Sequence, residues 1–300
     1  MRILIAGATG LIGNELTNKL LSQGHSVSIL SRNKTSRIPK TNCFVWNPDK
    51  DYIDINAFDG VDAIINLSGA GVADKRWTSS YKQTILGSRI NSTKLLVNSM
   101  KNTKNQVHAF INASAIGYYG NDTGNNWVDE NTKCGDDFLA EVVQKWEYEA
   151  FKATELNIRT VAIRTGIVLS AKGGALPKMA LPIKYYFGAS IGSGNQYLSW
   201  IDIDDLISIF IHCLTNNTLN GAVNAVAPMP VTNHNFNSSL ANQLHRKIFS
   251  PNIPPIILKI MLGDFAASLI GGNRVLCTKI LQSGFKFEHE TLEKSLKNQI

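Results

Sequence analysis

Cysteine is scarce in this sequence of 300 residues: only Cys43, Cys134, Cys213 and Cys277 occur, and they stand far apart. The spacing excludes a Cys-x-x-Cys motif and a zinc finger, and the histidines show no ligand spacing, so we expect no metal site. Scattered thiols in a chain of this size are typical of reduced, buried side chains in a cytoplasmic protein.

Long hydrophobic runs are also lacking. The most apolar stretch, residues 253–270, is interrupted by Pro254, Pro255, Lys259 and Asp264, and a membrane span needs about 20 consecutive apolar residues. The first residues are broken by glycines and lack the apolar core of a signal peptide. We therefore expect no membrane partner and no secretory leader.

Charged residues make up only 18% of the chain, and 23 acidic residues against 30 basic ones leave a formal net charge of +7. The hydrophobic fraction of 44% excludes a disordered chain. No aromatic residues are interleaved with the small basic stretch of Lys34, Arg37 and Lys40, as they would be in a single-strand-binding surface. The charge excess thus favours an anionic small molecule over nucleic acid.

Aliphatic runs alternate with helical periodicity through the first two thirds of the chain. Strands are predicted at residues 2–6, 25–30, 63–67, 107–113 and 158–164, and helices at residues 11–23, 81–101 and 138–155. This alternation predicts an α/β fold of the Rossmann type, a doubly wound parallel sheet with helices on both faces.

The pattern changes after Arg164. Residues 166–198 are rich in glycine and predict a long loop with one helix, followed by a strand at 200–203, a helix at 205–215 and a strand at 222–226. Prolines then mark a boundary, and short helices are predicted at 256–270, 275–282 and 292–299. We expect a dinucleotide-binding unit with its substrate-side segments at residues 1–230 and a small C-terminal helical module at residues 248–297.

Gly7-Ala-Thr-Gly10-Leu-Ile-Gly13 follows the first predicted strand and opens the first predicted helix. Gly7 permits the tight turn, Gly10 lets the backbone approach a pyrophosphate, and Gly13 lets helix and strand pack closely. The helix N-terminus offers its free N–H groups to the phosphates. Because strand, glycines, helix and second strand occur in order, the motif predicts a dinucleotide site.

The end of the second strand selects between the two nicotinamide dinucleotides. A site for NAD has an acidic residue there to accept from the ribose 2′-hydroxyl, whereas this chain has Ser31 and Arg32. A guanidinium pairs with a 2′-phosphate. The sequence therefore favours NADP(H); the alternative is that Arg32 is a solvated charge at a strand end.

Further segments, taken with the glycine motif, carry a resemblance that runs over nearly the whole chain. They are Asn66-Leu-Ser-Gly69, Gly87-Ser-Arg89, Ser114-Ala-Ile-Gly-Tyr-Tyr-Gly120, Trp146-Glu147, Arg164-Thr-Gly166, Gly173-Gly-Ala-Leu176, Ser199-Trp-Ile-Asp202 and Leu281-Gln-Ser-Gly-Phe285. Together they resemble the extended short-chain dehydrogenase/reductase superfamily, in its atypical epimerase-family branch with a small C-terminal domain of unknown function. Members of this branch are of the NADP-dependent oxidoreductase or nucleotide-sugar-epimerase-like type.

Matched residue by residue, the resemblance implies contacts along the whole cofactor, from the pyrophosphate and the 2′-phosphate through the adenosine and ribose to the nicotinamide end. The implied residues are, in that order, Gly7, Thr9, Gly10, Leu11 and Ile12; Ser31 and Arg32; Leu67, Ser68, Gly69 and Arg89; and Val168. Leu67 can serve the core as well as the ligand.

In the superfamily a serine polarises the substrate oxygen, and a tyrosine with a lysine four residues later exchanges the proton. Ser114, at the end of a predicted strand, matches the serine. Tyr148 and Lys152 have the tyrosine–lysine spacing, but the register set by Trp146-Glu147 places the superfamily pair at Leu139 and Val143. We therefore interpret Tyr148 and Lys152 as neighbours on a helix surface.

Tyr118 and Tyr119, just past Ser114, could supply a phenol instead, or could only pack over the ligand. Gln196 and Trp200 are candidate substrate contacts, with core packing as the alternative for Trp200.

The branch has histidine where this chain has Asp202. Asp202, Asp204 and Asp205 form an acidic cluster that the N-terminus of the predicted helix explains.

The sequence thus predicts an NADP(H)-dependent oxidoreductase or epimerase acting on a small polar or nucleotide-sugar-like substrate by hydride transfer. The alternative is a non-catalytic NADP(H)-binding sensor or scaffold, since the tyrosine–lysine pair is missing in register. Nucleic-acid binding, driven by the basic excess, is a third and less favoured hypothesis.

Overall fold

A computed structural model describes residues 1–33, 38–102, 107–248 and 251–300 of the chain. Lys34 and Arg37 of the small basic stretch lie outside these ranges. The strands in the described ranges are β1 (Arg2–Ala6), β2 (Ser26–Ser31), β3 (Asn42–Asn47), β4 (Tyr52–Ile53), β5 (Ala63–Asn66), β6 (Ala109–Ala115), β7 (Trp127–Val128), β8 (Arg159–Thr165), β9 (Ile167–Leu169), β10 (Tyr197–Leu198), β11 (Trp200–Asp202), β12 (Gly221–Ala225), β13 (Val231–Thr232) and β14 (Arg274–Val275).

The helices in the same ranges run along the chain between these strands and over the C-terminal part. They are α1 (Leu11–Ser22), α2 (Ser79–Asn102), α3 (Phe138–Phe151), α4 (Ala175–Lys184), α5 (Ile203–Thr215), α6 (Asn233–Gln243), α7 (Pro255–Leu262), α8 (Ala267–Ile270), α9 (Thr278–Gln282) and α10 (Leu292–Gln299). No helix in the described part of the chain is long and apolar enough to cross a membrane.

The central sheet has eight strands in the order β12-β8-β6-β5-β1-β2-β3-β4. All its pairs are parallel except the edge pair of β3 and β4. From β1 the chain first builds β2 and β3 on one side and then crosses to β5, β6, β8 and β12 on the other. The order reverses beside β1, and ligands of doubly wound sheets bind at such a switch point.

Alternate side chains of the strands bury two separate cores, one on each face of the sheet. Ile3 and Ile5 of β1 belong to a core that includes residues of α1 and α5, whereas Leu4 of β1 belongs to one that includes residues of α2 and α3. The predicted Rossmann-type sheet with helices on both faces is confirmed.

The structure corrects several predicted elements. Residues 166–198 contain the short strands β9 and β10 beside the expected helix, and β3, β4 and α6 were not predicted. The helix predicted over 256–270 is interrupted at Gly263, which has a φ of +63°. Val275 lies in β14, paired with β7, and not in a helix.

The C-terminal residues pack against the body of the sheet through polar contacts. The buried carboxylate of Asp205, in α5, accepts hydrogen bonds from the backbone N–H groups of Glu288 (2.8 Å) and His289 (2.9 Å). Ser199 Oγ donates to the carbonyl of Asn273 (2.7 Å). The C-terminal part is therefore joined to the larger unit along several strands and helices.

The four cysteines are free. Cys213 and Cys277 are buried, and burial raises the pKa of their thiols to about 12 and about 11, respectively. Cys43 and Cys134 are only half-buried.

Candidate active site

The turn between β1 and α1 has room for backbone only. Gly7 has a φ of +82°, and a Cβ there would lie 2.7 Å from the carbonyl carbon of Leu67. A Cβ at Gly13 would lie 2.2 Å from the carbonyl oxygen of Gly7. At Gly10 the nearest atom would be 3.4 Å away, so the protein itself leaves this position open. Packing within the fold thus requires glycine at Gly7 and Gly13, whereas Gly10 faces the side where a ligand would lie.

The N-terminus of α1 is left open by the side chains that the structure describes. Gly10 is its N-cap residue, with no side-chain cap and no acidic residue in the first turn. Thr9 and Gly10 are exposed, and Leu11 and Ile12 are half-buried. Free N–H groups and the positive end of the helix dipole suit a phosphate group.

β2 ends beside this turn with a hydroxyl and a cation. Ser31 is half-buried, and its Oγ accepts from the backbone N–H of Asn33 (3.2 Å), while the Arg32 side chain is exposed. β1 and β2 pair in register from Arg2 to Ala6, which places the end of β2 next to the glycine turn. The arrangement fits a dinucleotide that carries a 2′-phosphate.

The carboxyl end of β5 supplies the segment from Leu67 to Gly69. Asn66 Nδ2 donates to Asn112 Oδ1 (2.8 Å), and Ser68 Oγ donates to Asn66 Oδ1, so this edge is fixed by buried amides. Leu67 is half-buried and packs against the core. It can serve both roles that the sequence left open.

Arg89, in α2, fixes the loop after β5. Its Nη1 donates to the carbonyls of Ala70 and Ile85, both at 3.0 Å, and its guanidinium lies 5.1 Å from the ring centre of Trp146. Desolvation lowers the pKa of Arg89 to about 10, so the side chain stays charged at neutral pH. The side chain expected to reach the cofactor therefore already positions the backbone around Gly69.

Ser114, near the end of β6, belongs to a buried charged network. Its Oγ donates to Glu147 Oε1 in α3 (2.6 Å), and Arg164 in β8 binds the same carboxylate through Nε and Nη2, both at 2.8 Å. All three residues are buried. Desolvation opposes the charge of Arg164, but the hydrogen bonds and negative charge of Glu147 outweigh it and raise the pKa of the guanidinium.

The structure distinguishes the two candidate tyrosines. Tyr119 is buried; its hydroxyl donates to Asn224 Oδ1 (2.7 Å) and accepts from Arg164 Nη1 (3.1 Å). Burial raises the pKa of Tyr119 to about 12, against the opposite effect of Arg164.

Tyr118 is half-buried, and its ring centre lies 3.4 Å from the Arg164 guanidinium carbon. No group of the described chain hydrogen-bonds its hydroxyl. Tyr118 is therefore the phenol that remains available to a ligand.

The usual tyrosine–lysine positions on α3 hold apolar side chains at the site. A Cβ at Gly117 would lie 3.4 Å from Leu139 Cβ and 4.0 Å from Val143 Cγ2. Tyr148, by contrast, is 66% exposed, and Lys152 binds Glu149 (2.8 Å) and lies over the Tyr148 ring. The geometry of Tyr148 and Lys152 is that of a helix-surface pair.

The remaining candidates lie in the segment after β8. Val168 is half-buried in β9. Gln196 Nε2 donates to the carbonyl of Ile191 (3.1 Å), while its Oε1 is buried without a partner among the described residues. Trp200 is fully buried, and its Nε1 donates to the carbonyl of Met229 (3.1 Å). Trp200 therefore packs in the core, which is the alternative that the sequence left open for it.

Asp202 connects the body of the fold to its last helix. Its Oδ1 accepts from the backbone N–H of Asp204 at the start of α5 (2.9 Å), and its Oδ2 accepts from Ser295 Oγ in α10 (2.6 Å). Asp202, Asp204 and His289 bring ligand atoms within 4.8 Å of one another, but these hydrogen bonds already occupy the Asp202 carboxylate. The sequence predicted the capping role and missed the contact with α10.

Glu147, Arg164 and Asn224 are the site residues that sequence reasoning missed. Glu147 and Arg164 both occur in the sequence motifs, which assign them no role. Arg164 is a charged residue within an apolar strand, and such a charge indicates a buried partner.

A cavity of about 590 Å³ opens beside Leu139 and Asn121, between α3 and the C-terminal residues. Trp77 and Phe138 line its apolar wall. The cavity offers a small molecule space close to the segment that carries Tyr118.

The switch point of the sheet and the glycine turn at the open N-terminus of α1 are those of a nicotinamide-dinucleotide-binding protein of the short-chain dehydrogenase/reductase type. The chain belongs to the NAD dependent epimerase/dehydratase family, which it matches over residues 3–225. Residues 253–299 match a domain of unknown function, DUF1731.

Similar proteins span almost the whole chain. An epimerase family protein of Staphylococcus saprophyticus is 36% identical over 299 residues, covering 99% of this chain and 98% of its own length. One of Mycobacterium leprae is 35% identical over 296 residues, covering 98% and 94%.

Among solved structures, the human epimerase family protein SDR39U1 with NADPH has a TM-score of 0.87 and 32% identity, with 100% of this chain and 99% of that chain covered. A nucleoside-diphosphate sugar epimerase of Corynebacterium glutamicum has a TM-score of 0.80 and 30% identity, and this chain spans 59% of its length. Family membership and the NADPH-bound relative support binding of a nicotinamide cofactor.

Proposed function

We propose that this protein is an NADP(H)-dependent oxidoreductase that acts on the carbonyl or carbinol carbon of a small polar substrate. The observation that carries the proposal is the glycine turn beside a β2 end that presents Ser31 and Arg32 and no carboxylate. The human relative that contains NADPH supports the choice of cofactor. The relative named as a sugar epimerase makes nucleotide sugars one substrate class to test.

The residues fit both phosphate-bearing parts of the cofactor, the pyrophosphate and the 2′-phosphate. The free N–H groups at Leu11 and Ile12 would hold the pyrophosphate, since that of Gly10 is donated to the carbonyl of Gly7 (3.1 Å), and Ser31 and Arg32 would hold the 2′-phosphate. When bound, the nicotinamide supplies or accepts a hydride. The protein positions the substrate and handles the proton.

Ser114 meets a substrate hydroxyl other than the reacting oxygen, as a hydrogen-bond acceptor. A hydroxyl has one proton, and that of Ser114 is donated to Glu147. Its lone pairs can then receive a hydrogen bond from a substrate hydroxyl. Arg164 holds Glu147 through two parallel hydrogen bonds, which fixes the orientation of the serine.

Tyr118 exchanges the proton with the substrate oxygen. Its hydroxyl is free of partners in the described chain, and its ring is held on the Arg164 guanidinium. Tyr119 positions Arg164 through its own hydroxyl and stays protonated. The two tyrosines thus have different roles although they are adjacent.

The test is a turnover screen of carbonyl compounds, sugars and nucleotide sugars with NADPH or NADP⁺. We expect Tyr118→Phe to lower kcat by about 100-fold or more, since a positioned proton donor contributes at least that much. Ser114→Ala should lower kcat/KM by about tenfold, since the substrate then loses one hydrogen-bond acceptor. NADPH affinity, followed by fluorescence titration, should stay within about twofold of the wild type. Turnover that is unaffected by both substitutions would contradict the assigned roles.

A non-catalytic NADP(H) sensor is the second candidate. It is favoured by Leu139 and Val143, which place apolar groups where the superfamily has its proton-transfer pair. NADPH binding without turnover on any class in the screen would support the sensor and reject the enzyme.

A further inference from the structure

Exposed apolar side chains are concentrated on two elements, α4 with the residues after it and α7, which borders the 590 Å³ cavity through Lys259. At the end of α4 and just beyond it, Leu181, Tyr185, Tyr186 and Phe187 are exposed, Phe187 to 79%. On α7, Ile256, Ile257, Ile260 and Met261 are exposed, and only Leu258 is buried. These eight residues, here called the apolar patch, are half of the large exposed hydrophobic residues in the described part of the chain. Single exposed hydrophobic residues scattered over a surface need no explanation, but a concentration of them marks an interaction site.

The chain segments next to the two parts of the apolar patch are paired with each other. The segment after α4 pairs with the segment before α7: Ile253 N donates to the carbonyl of Ser190 (2.8 Å), and Gly192 N donates to the carbonyl of Ile253 (2.9 Å). Arg246 donates to the carbonyl of Lys184 (3.3 Å) and lies over the Tyr186 ring. Backbone pairing thus joins residues 190–192, which follow α4, to Ile253, which precedes α7.

The charges that α4 and α7 themselves carry are of one sign, and Lys259 lies near Asp264, which follows α7. α4 carries Lys178 and Lys184, α7 carries Lys259, and neither helix contains an acidic residue. Asp264, two residues after α7, is paired with Lys82 (2.5 Å).

A cavity of about 410 Å³ lies next to the patch and is also cationic. It is lined by Arg246, Lys247 and His234 with Ser190 and Asn252, and none of its lining residues is acidic. Hydroxyl, amide and cationic groups around one cavity suit a phosphate group.

We propose that the apolar patch docks on an anionic phospholipid surface. Aromatic and branched side chains enter the interface between headgroups and acyl chains, the lysines face the lipid phosphates, and the Arg246–Lys247 cavity receives one headgroup phosphate. A second copy of the chain fits less well, because a two-fold contact would place the same lysines opposite one another without carboxylates between them. The protein rests on the membrane from one side and does not span it.

The experiment is co-sedimentation of the full chain with vesicles. One set contains phosphatidylcholine alone, and the other contains about one third phosphatidylglycerol. We expect binding to the anionic set only, weakened by salt. Phe187→Ser/Ile260→Ser should lower binding through lost apolar contact, and Lys184→Glu/Lys259→Glu through lost attraction, each by about tenfold or more, since one cation near such a surface is worth about fivefold.

The matched control changes one exposed hydrophobic residue and one exposed lysine elsewhere. Tyr52→Ser/Lys101→Glu should bind like the wild type, and NADPH affinity should be unchanged in all three double variants. Equal binding to both vesicle sets, no binding to either, or unchanged binding by the patch variants would overturn the proposal. So would a dimer that Phe187→Ser/Ile260→Ser dissociates in the absence of vesicle binding, since the patch would then join two copies.

Discussion

At the residue scale, one buried ion pair determines what the neighbouring hydroxyls can do. Glu147 and Arg164 hold each other by two hydrogen bonds. Glu147 also accepts a hydrogen bond from Ser114, and Arg164 donates one to the hydroxyl of Tyr119. Tyr118 is left with a packed ring and a free hydroxyl. The division of roles between adjacent tyrosines follows from which of them the pair engages.

Tyr119 provides a test of this network through pH. Because burial raises its folded pKa from 10 to about 12, the stability it contributes is complete below pH 10 and is lost as pH rises towards 12. Between about pH 9 and 11, the wild type should lose about 1 kcal/mol of unfolding free energy that Tyr119→Phe does not lose. Urea unfolding of both proteins across this range measures the difference. A constant stability gap between them would show that Tyr119 ionises as it does in the unfolded chain.

How much of the site the sequence predicts depends on how local the interactions are. The glycine turn and the Ser31–Arg32 pair are contiguous with their own strand and helix, so their positions could be predicted. The ion pair could not, because Glu147 and Arg164 come from different elements and meet only after α3 has packed on the sheet.

At the element scale, the close contact between Gly7 and Gly13 limits which residues the turn between β1 and α1 can accept. A side chain at Gly13 would meet backbone atoms, which cannot move aside as a flexible side chain can. The short strands β9, β10 and β14 show the opposite case. Each is two or three residues long and depends on a partner distant in sequence, so no periodicity indicates them.

Gly13→Ala and Gly87→Ala form a matched pair in two helices. A Cβ at Gly13 would lie 2.2 Å from the carbonyl oxygen of Gly7, whereas at Gly87, in α2, the nearest atom is Asn91 Nδ2 at 3.8 Å. We expect Gly13→Ala to cost about 2 kcal/mol or more and to abolish dinucleotide binding. Gly87→Ala should leave binding intact and raise stability by up to about 1 kcal/mol. Thermal unfolding and NADPH titration check both, and normal binding by Gly13→Ala would contradict the tight turn.

At the scale of the whole molecule, the C-terminal residues are part of one packed structure with the sheet. The carboxylate of Asp202 holds α10 through Ser295. β7 pairs with β14, and Arg274 lies between the rings of Trp127 and Tyr197. The domain boundary predicted from the prolines in the sequence gives no indication of these contacts.

Asp202→Ala and Asp204→Ala test this connection. Asp202 is fully buried, and its loss removes a helix cap and leaves Ser295 and Gln299 without their acceptor. We expect a loss of about 2–4 kcal/mol, against less than about 1 kcal/mol for the exposed Asp204. Urea unfolding, followed by circular dichroism and tryptophan fluorescence, should show coincident transitions. Similar losses for both variants would contradict the role of Asp202.

The central claim, an NADP(H) site selected by Arg32, is tested most directly by fluorescence titration of the wild type and Arg32→Glu with NADPH and NADH. We expect the wild type to bind NADPH at least tenfold more tightly, because a charge-assisted pair with the 2′-phosphate contributes about 1.5–3 kcal/mol. Arg32→Glu should lose that preference through repulsion of the phosphate. Equal affinity of the wild type for both dinucleotides, or binding of neither, would contradict the assignment.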